Sequence, residues 1–440
     1  MENVFGVMMA GGASSRFFPE NKVFADPTGA GKSMVQSAHD RLMEEQRSFL
    51  SWGLCCLGRE PKYSKFLPRG NFYCVTGTDM ADEMRRHLPS ANVLVEPGRR
   101  NTLPAILWTM ANVETRCPDG TLIVVTGDHV IGDLEVFRAS LDLAVEITQV
   151  KRAVVTVGIA PSEDANEWTA FGAIKSDMSN TYKKAGKIVR FEEKPSFAQA
   201  EVMIKEKCWA WNSGMFVFKM QLMRELLQEF QPEIYTQYSK IVKALQEKSE
   251  AVATDAFLAI KPKMPDPRGT GKSVDTSIDY AIMMRLTHPD YKGTAEGYCI
   301  PGTFYWMDIG SWNALRTVCE ADSKGNVKVG NVSIQDSENV IAYGAASIAD
   351  RPRRLIVEGT RGIIVVAGAA PWILLCKEEM AQAVKQVREK ALAGSDKVVC
   401  EQCAADTIQV SGTDAPRVAA VGVAKASIDC GSDYIKVTAE

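Results

Sequence analysis

The sequence predicts an α/β protein in which a mostly parallel sheet with helices on both faces is followed by a small C-terminal β unit. Over about the first 300 residues, short runs rich in β-branched residues alternate with helical patterns, as in parallel sheets. After Gly325 the chain changes to short β segments separated by glycines, and then to one helix, MAQAVKQVREKAL. We therefore expect a main domain at 1–322, a β unit with a closing helix at 323–394, and a tail at 395–440 that could contain short strands.

The elements of the first part can be placed in order. The segment VFGVMMAGG is a strand that ends in a glycine turn, and SMVQSAHDRLMEEQ is a helix. Three further strands follow, FYCVTG, VLVEP and TLIVVTGDHVI, separated by helices near ADEMRRHL and PAILWTMANVETR. Because ligands of such sheets bind at the carboxyl ends of the strands, the polar residues at those ends are the candidates for a functional site.

The composition is that of an ordinary globular protein, with 46% hydrophobic and 24% charged residues among 440. The net charge is −3 and no run of Lys and Arg occurs, which argues against a nucleic-acid or membrane partner. The apolar run at the N-terminus is too short for a signal peptide or a membrane span. We expect a cytoplasmic protein.

The eleven cysteines show no spacing typical of disulfides, which suits a reducing compartment. Cys400 and Cys403 form a CxxC pair, but no second pair or histidine pair follows to complete a zinc site. Structural thiols are therefore the favoured interpretation.

The first strand leads into a glycine loop, GGASSRFFPENK, at residues 11–22. Gly11 and Gly12 allow a sharp turn that brings backbone N–H groups near a polyphosphate. Arg16 and Lys22 could neutralise charge that develops at the α-phosphorus. A structural turn with a surface arginine would explain this segment as well.

Two other segments look like phosphate-binding P-loops, GAGKS at 29–33 and GTGKS at 269–273. The P-loop pattern requires a glycine where this chain has Asp26 and Asp266, so neither segment fits it.

The glycine loop is similar to the signature of the nucleotidyltransferases that make sugar nucleotides, in which GGxGxR and a proline precede a lysine. Here Ser14 replaces the third glycine and the stretch between Pro19 and Lys22 is short, which leaves Lys32 as an alternative to Lys22. The same variant also resembles molybdenum-cofactor guanylyltransferases, but that family does not account for the later motifs EKP, WNSGMF and MDIGSW.

Later segments resemble the mannose-1-phosphate guanylyltransferase family in the family's order, as far as about residue 390. VEPGRRNTLPAI, at 95–106, matches the family's nucleotide-contacting segment, although Asn101 and Thr102 could equally cap the helix that follows. The resemblance implies nucleotide binding by Gly11, Gly12, Ser14, Arg100, Asn101 and Thr102.

Two acidic residues match the family's metal-binding positions. Asp128 ends the strand TLIVVTGDHVI, and Asp308 lies in FYWMDIGSW. The resemblance implies that both hold Mg²⁺, which prefers oxygen ligands, while His129 is structural. A solvated loop carboxylate is the alternative for Asp308.

Three segments resemble the family's sugar-phosphate pocket: FGAI at 171–174, FEEKP at 191–195 and WNSGMFVF at 211–218. They imply that Glu193 accepts hydrogen bonds from sugar hydroxyls, Lys194 pairs with the phosphate and Asn212 presents its amide, next to Gly172. Alone, EKP could be a surface turn. SIDYAIMMR, at 277–285, also matches, but it receives no role because Met284 stands where glutamate is usual.

The resemblance as a whole implies a Rossmann-like, GT-A-like catalytic domain at 1–322 that transfers GMP from GTP to mannose-1-phosphate. The reaction would be a Mg²⁺-assisted in-line displacement with Arg16 and Lys22 as catalytic residues. Another nucleoside triphosphate, another hexose or heptose phosphate, and a non-catalytic nucleotide-sugar-binding regulator stay open as alternatives. We expect no isomerase activity, because the tail is too short for the extra domain of the family's long members, and we leave a homo-oligomer open.

Overall fold

A computed structural model describes residues 3–12, 15–43, 67–68, 70–345, 354–367, 372–394, 396–403, 408–412, 417–430 and 434–439. The chain divides into two compact units. The first unit comprises Met1–Gly11, Ala38–Gly127 and Ile131–Trp306, and the second comprises Gly12–Ser37, Asp128–Val130 and Met307–Glu440. The second unit therefore includes two short segments from the N-terminal part of the chain, and these carry several of the predicted site residues.

Residues 1–308 contain thirteen strands within their described part. They are β1 (Val4–Met9), β2 (Phe72–Thr76), β3 (Asn92–Val95), β4 (Thr121–Thr126), β5 (His129–Ile131), β6 (Ala153–Ile159), β7 (Gly172–Tyr182), β8 (Ala185–Glu193), β9 (Trp209–Lys219), β10 (Lys263–Pro265), β11 (Ser273–Asp275), β12 (Glu296–Gly302) and β13 (Trp306–Asp308).

The helices of the same part are mostly two to four turns long. They are α1 (Met34–Met43), α2 (Ala81–His87), α3 (Thr102–Glu114), α4 (Leu134–Val150), α5 (Ala165–Trp168), α6 (Phe197–Glu206), α7 (Met220–Phe230), α8 (Pro232–Gln246), α9 (Glu250–Leu258) and α10 (Met284–Leu286). Across the described ranges, we find no helix with both the length and the apolar character needed to cross a membrane.

Nine strands of the first unit form its central sheet, in the order β3-β2-β1-β4-β9-β6-β12-β8-β7. Strands β1 to β4 run parallel to one another, and β6 is parallel to β12. Strand β9 runs antiparallel to both β4 and β6, and β7 and β8 form an antiparallel pair. The predicted α/β fold with a mostly parallel sheet is confirmed, and the antiparallel strands make the sheet mixed.

The core of the first unit explains why its strands are so apolar. Phe5 and Val7 of β1 are buried in the same cluster as Leu103, Ile106 and Met110 of α3. Strands of a parallel sheet are covered by helices on both faces, so nearly every side chain along them must be apolar. Polar side chains then occur where the strands end.

The second unit contains the C-terminal strands and two further helices. The strands are β14 (Val327–Gly330), β15 (Val332–Gln335), β16 (Ile341–Gly344), β17 (Arg354–Glu358), β18 (Ile363–Ala367), β19 (Trp372–Lys377), β20 (Val398–Glu401), β21 (Ile408–Gly412), β22 (Arg417–Val421), β23 (Ala426–Cys430) and β24 (Tyr434–Ala439), and the helices are α11 (Leu315–Val318) and α12 (Val384–Ala393).

These eleven strands form two sheets, ordered β14-β16-β18-β19-β22-β20 and β15-β17-β24-β23-β21. Alternate residues of the six-stranded sheet are buried in two different clusters. Ile364 lies in the cluster that contains Val384 and Val387 of α12, whereas Val365 lies with Val357 of the five-stranded sheet. The predicted C-terminal β unit is confirmed, and β20 to β24 contribute to its sheets. The domain boundaries after residues 322 and 394 stay predictions.

Candidate functional site

Three charged side chains of the second unit meet at one point. Lys22 begins a short helical turn, Lys22–Phe24, which the side chain of Asn21 caps by accepting a hydrogen bond from Val23 N. Lys22 is only 5% exposed. Its Nζ donates to Asp128 Oδ2 at 2.9 Å and also to Asp308 Oδ1. The fold thus brings together a lysine and two carboxylates from three distant parts of the sequence.

The electrostatics of this cluster favour ionised carboxylates. Burial raises the pKa of Asp128, but the charge of Lys22, together with that of His129 in its protonated form, outweighs burial and holds this pKa below its ordinary value. His129 is itself buried, and its Nε2 lies 3.8 Å from Asp128 Oδ1. When His129 is neutral, Lys22, Asp128 and Asp308 together carry one more negative than positive charge and so favour a further cation.

The donor set suits a magnesium ion that is shared with a polyphosphate. Asp128 and Asp308 supply hard oxygen ligands, and Mg²⁺ takes about six ligands, of which it commonly keeps several as water and substrate phosphate. Among the residues that the structure describes, no group of three or more His, Cys, Asp and Glu side chains could hold a metal by itself. The two carboxylates therefore fit a site that phosphate oxygens complete.

Arg16 lies beside the segment that carries Asp308. Its Nη1 donates to Gln382 Oε1 at 3.0 Å, and a Cβ atom at Gly310 would lie 3.7 Å from its Nη2. Gly12 has open space where a side chain would be, which leaves its backbone accessible. Ser14 lies outside the described residues.

Aromatic packing fixes the loop that carries Arg16. The ring centroids of Phe17 and Trp312 are 4.6 Å apart, and those of Trp312 and Tyr343 are 4.8 Å apart. Trp312 Nε1 also donates to the carbonyl oxygen of Phe18 at 3.0 Å. The predicted motifs RFFP and MDIGSW therefore pack on each other through their aromatic residues.

The alternative lysine, Lys32, lies in an exposed loop whose backbone N–H groups hydrogen-bond to an aspartate of the same loop, Asp26. Asp26 accepts hydrogen bonds from the N–H groups of Ala30, at 3.1 Å, and Gly31, at 2.6 Å. The Asp26 carboxylate thus occupies the backbone donors that a P-loop would offer to a phosphate. Lys22 is the lysine that contacts the two predicted metal carboxylates.

The predicted nucleotide residues of the first unit lie at the start of α3. Asn101 has a φ of 77° and caps the helix by accepting a hydrogen bond from Thr102 N at 2.7 Å. Thr102 Oγ1 accepts from Ile278 N at 3.3 Å. Arg100 Nη2 donates to Leu258 O at 3.3 Å, whereas its buried Nε has no hydrogen-bond partner in the described part of the chain. Asn101 thus has a capping function, and the nucleotide role of all three stays a prediction.

Glu96, to which the sequence analysis gave no role, lies close to the first glycine of the loop. Its side chain is buried at the end of β3, and a Cβ atom at Gly11 would lie 3.0 Å from its Oε1. Burial raises the pKa of Glu96 to about 7, although the nearby Arg99 opposes this. The only sequence signal was its position, directly after a strand in VEPGRRN.

The predicted sugar residues of the first unit come together on neighbouring strands. Gly172 of β7 pairs with Glu193 of β8, and Asn212 lies on β9. A Cβ atom at Gly172 would lie 2.6 Å from Glu193 Oε2 and 3.2 Å from Asn212 Cβ, so only glycine fits. Lys194 is more exposed, with its Nζ 3.9 Å from Glu193 Oε1. The structure therefore places all four side by side.

Asp279, to which the sequence analysis gave no role, also belongs to this group. Asn212 Nδ2 donates to Asp279 Oδ1 at 2.9 Å, and Asp279 lies in the segment SIDYAIMMR. Burial, followed by the charge of Asp279, raises the pKa of Glu193 to about 8. Glu193 is therefore protonated at neutral pH, and it can donate as well as accept a hydrogen bond.

The chain is similar in sequence to known proteins. The profile of the family named Nucleotidyl transferase matches residues 5–325. The chain is 33% identical over 312 residues to the xanthan biosynthesis protein XanB of Xanthomonas campestris pv. campestris, covering 70% of this chain and 59% of XanB. It is 28% identical over 322 residues to the mannose-1-phosphate guanylyltransferase of Escherichia coli (strain K12), covering 71% and 61%. The chain thus spans about three fifths of the length of these curated relatives.

A solved structure supports the fold. The crystal structure of mannose-1-phosphate geranyltransferase from Thermus thermophilus superposes with a TM-score of 0.65 and 24% identity, covering 89% of this chain and all of that one. The family profile matches well over half of the chain, and the motif order had predicted the same family. This chain belongs to the nucleotidyl transferase family.

Proposed function

We propose that this protein transfers GMP from GTP to mannose-1-phosphate and releases pyrophosphate. The observation that carries the proposal is the cluster in which Lys22 contacts Asp128 and Asp308. Such a cluster offers a positive charge for a phosphate and two oxygen ligands for a divalent cation, which are the requirements of phosphoryl transfer chemistry. The names of the relatives, one of them a mannose-1-phosphate guanylyltransferase, favour this pair of substrates.

The proposed reaction is an in-line displacement. A phosphate oxygen of the sugar phosphate attacks the α-phosphorus, and the bond from that phosphorus to the bridging oxygen of pyrophosphate breaks. The nucleophile is already an anion, so no catalytic base is needed. Lys22 and Arg16 would neutralise charge on the α-phosphate. Asp128 and Asp308 would hold Mg²⁺, which supplies further charge neutralisation when it is bound.

The sugar phosphate would bind to the group of Gly172, Glu193, Lys194 and Asn212. The ammonium of Lys194 is exposed enough to pair with the phosphate, while Glu193 and Asn212 can hydrogen-bond to hydroxyls. The Gly172 backbone lies so close to Glu193 that no side chain fits at that position.

Glu96 supports guanine as the base. A carboxylate accepts two parallel hydrogen bonds, and guanine presents two adjacent N–H donors on one edge, at N1 and at its exocyclic amine. Uracil and thymine present one N–H between two carbonyl oxygens and would leave a buried carboxylate partly unsatisfied. Glu96 lies beside Gly11, which is the first residue of the predicted phosphate loop.

The test is pyrophosphate release from the full chain with Mg²⁺, in a panel of four nucleoside triphosphates crossed with several sugar-1-phosphates. We expect release with GTP and mannose-1-phosphate, and loss of release in the Asp128→Asn variant. Release with another pair would keep the mechanism and change the substrate. Nucleotide-sugar binding with no release from any pair would contradict the proposal and favour the non-catalytic regulator.

A further inference from the structure

Asp279 is a partly accessible carboxyl at the start of a π-helical turn, Asp279–Met283, in the segment SIDYAIMMR. Turns of this kind are frequent at functional sites. Asp279 accepts a hydrogen bond from Asn212 Nδ2 at 2.9 Å. The proposed reaction gives Asp279 no task, and its contact with Asn212 connects it with the sugar residues.

The amide of Asn212 is held from both ends. Its Oδ1 accepts a hydrogen bond from Gly214 N at 3.3 Å, and it shares the hydroxyl hydrogen of Thr156, 3.0 Å away, with Met215 O. Its Nδ2 faces Asp279. Turning the amide over would place its NH₂ group against the Gly214 N–H and its oxygen against a carboxylate, so the network selects one orientation. Asp279 fixes the NH₂ end, whose second hydrogen is then aimed in a defined direction.

Glu193 lies next to this network. Its Oε2 and the Cβ of Asn212 both crowd the backbone of Gly172. The charged and titratable groups that act on Glu193 are Asp279, Lys194, Arg268, Asp275 and Tyr280. Burial raises the pKa of Glu193 to about 8 and also raises the pKa of Asp279. Hydrogen bonds from Ser277 and Asn212 to Asp279 oppose the effect of burial on the pKa of Asp279.

We propose that Asp279 is a positioning residue for the sugar phosphate, because it orients the amide of Asn212. This inference rests on the proposed function. A fixed amide recognises a hydroxyl without first losing rotamer freedom.

The experiment measures the affinity of the full chain for mannose-1-phosphate by isothermal titration calorimetry, from pH 6 to pH 9.5, and the KM values for both substrates. In Asp279→Ala, the amide of Asn212 loses its acceptor. We expect the affinity for mannose-1-phosphate to fall about tenfold at pH 7, with its KM raised similarly, while kcat and the KM for GTP change less than about threefold.

The Asp279→Asn variant is the conservative replacement that keeps an acceptor at this position. Its amide oxygen can still accept from Asn212, so affinity at pH 7 should stay within about threefold of the wild type. Removing the negative charge makes Glu193 easier to ionise. The decline of affinity that we expect above about pH 8 in the wild type should therefore begin at lower pH in this variant. Asp290→Ala, whose side chain is almost fully exposed, is the matched control and should leave the whole profile unchanged.

The outcomes distinguish this inference from the proposed function. If the wild-type protein binds no sugar-1-phosphate, both the proposed function and this inference are refuted. Wild-type binding that Asp279→Ala leaves intact, or weakens only together with GTP binding, would refute the positioning role. A loss of affinity in Asp279→Asn as large as that in Asp279→Ala would also refute the positioning role, because Asp279→Asn keeps an acceptor for the Asn212 amide.

Discussion

Replacing Lys22 by methionine tests the cluster on which the proposed function depends. Methionine has nearly the same length as the lysine side chain but has no charge and no donor. In the wild type, Lys22 is 5% exposed and its Nζ contacts both carboxylates, at 2.9 Å in the case of Asp128. Lys22→Met therefore removes one positive charge and leaves Asp128 and Asp308 facing each other.

The expected loss of activity follows from the position of this charge. Removing one preorganised group that stabilises charge in the transition state typically lowers kcat by about 10²–10³-fold. The effect on stability should be smaller than for a fully buried ion pair, because the side chains of Asp128 and Asp308 are 37% and 32% exposed. We expect a loss of roughly 1–2 kcal/mol in the free energy of unfolding at pH 7.

The sign of the pH dependence gives a second check. Lys22 and His129 hold the pKa of Asp128 below its ordinary value against burial, so this pairing stabilises the fold above the pKa of an unfolded aspartate and is lost as the pH falls. The difference in free energy of unfolding between wild type and Lys22→Met should therefore stay nearly constant from pH 7 to about pH 5 and shrink as the pH falls below the ordinary aspartate pKa of 3.8. Chemical denaturation at a series of pH values measures this difference.

The matched control is Lys32→Met, which changes the same residue type in an exposed loop of the same unit. We expect this variant to release pyrophosphate within about threefold of the wild-type rate, because its lysine is not the one at the carboxylates. If Lys22→Met instead keeps the wild-type rate while Lys32→Met loses about 10²-fold, the assignment of Lys22 to the α-phosphate is wrong.

Three further outcomes are expected. Glu96→Gln should lower kcat/KM for GTP by about 10–100-fold and leave that for UTP within a few fold, because one guanine donor loses its acceptor; equal losses for both nucleotides in steady-state assays would argue against base recognition. Glu193→Gln should raise the melting temperature relative to the wild type, and by more as the pH rises from 5 to 8. The reason is that Glu193, with a folded-state pKa of about 8, contributes stability in full only below its ordinary pKa of 4.5, and this contribution is lost as the pH rises towards 8. A difference in melting temperature that does not change with pH would contradict the raised pKa. Gly172→Ala forces a Cβ atom to within 2.6 Å of Glu193 Oε2. We expect this variant to raise the KM for mannose-1-phosphate about tenfold and to leave the KM for GTP unchanged. An unaltered KM for mannose-1-phosphate would mean that these residues bind no sugar.

The fold could be predicted largely because its periodicities are local. Apolar runs such as Val4–Met9 show that a strand is buried, and their alternation with helices favours a parallel sheet. The direction of Trp209–Lys219 could not be predicted, because the same apolar pattern fits either direction, and this strand runs antiparallel to both β4 and β6. The tail showed strand-like segments but not their pairing, which depends on contacts with distant strands.

The candidate site was predicted unevenly, for a physical reason. Lys22, Asp128 and Asp308 stand in short motifs whose order carries information, and the structure brings them together. Glu96 and Asp279 could not be selected from the sequence, because what distinguishes them is burial and an electrostatic environment that only the folded chain creates. A glutamate after a strand, or an aspartate at a helix start, is common in solvent-exposed positions as well.

The position of Lys22 couples the binding of a divalent cation to the binding of a nucleotide. Without nucleotide, this lysine is the counter-ion of Asp128 and Asp308, so a divalent cation must compete with an ammonium group for the same oxygens. An anionic polyphosphate offers Lys22 another partner and offers the cation further ligands. Each ligand then removes part of the cost of binding the other, and because linkage is reciprocal, nucleotide and divalent cation should bind more tightly together than either does alone.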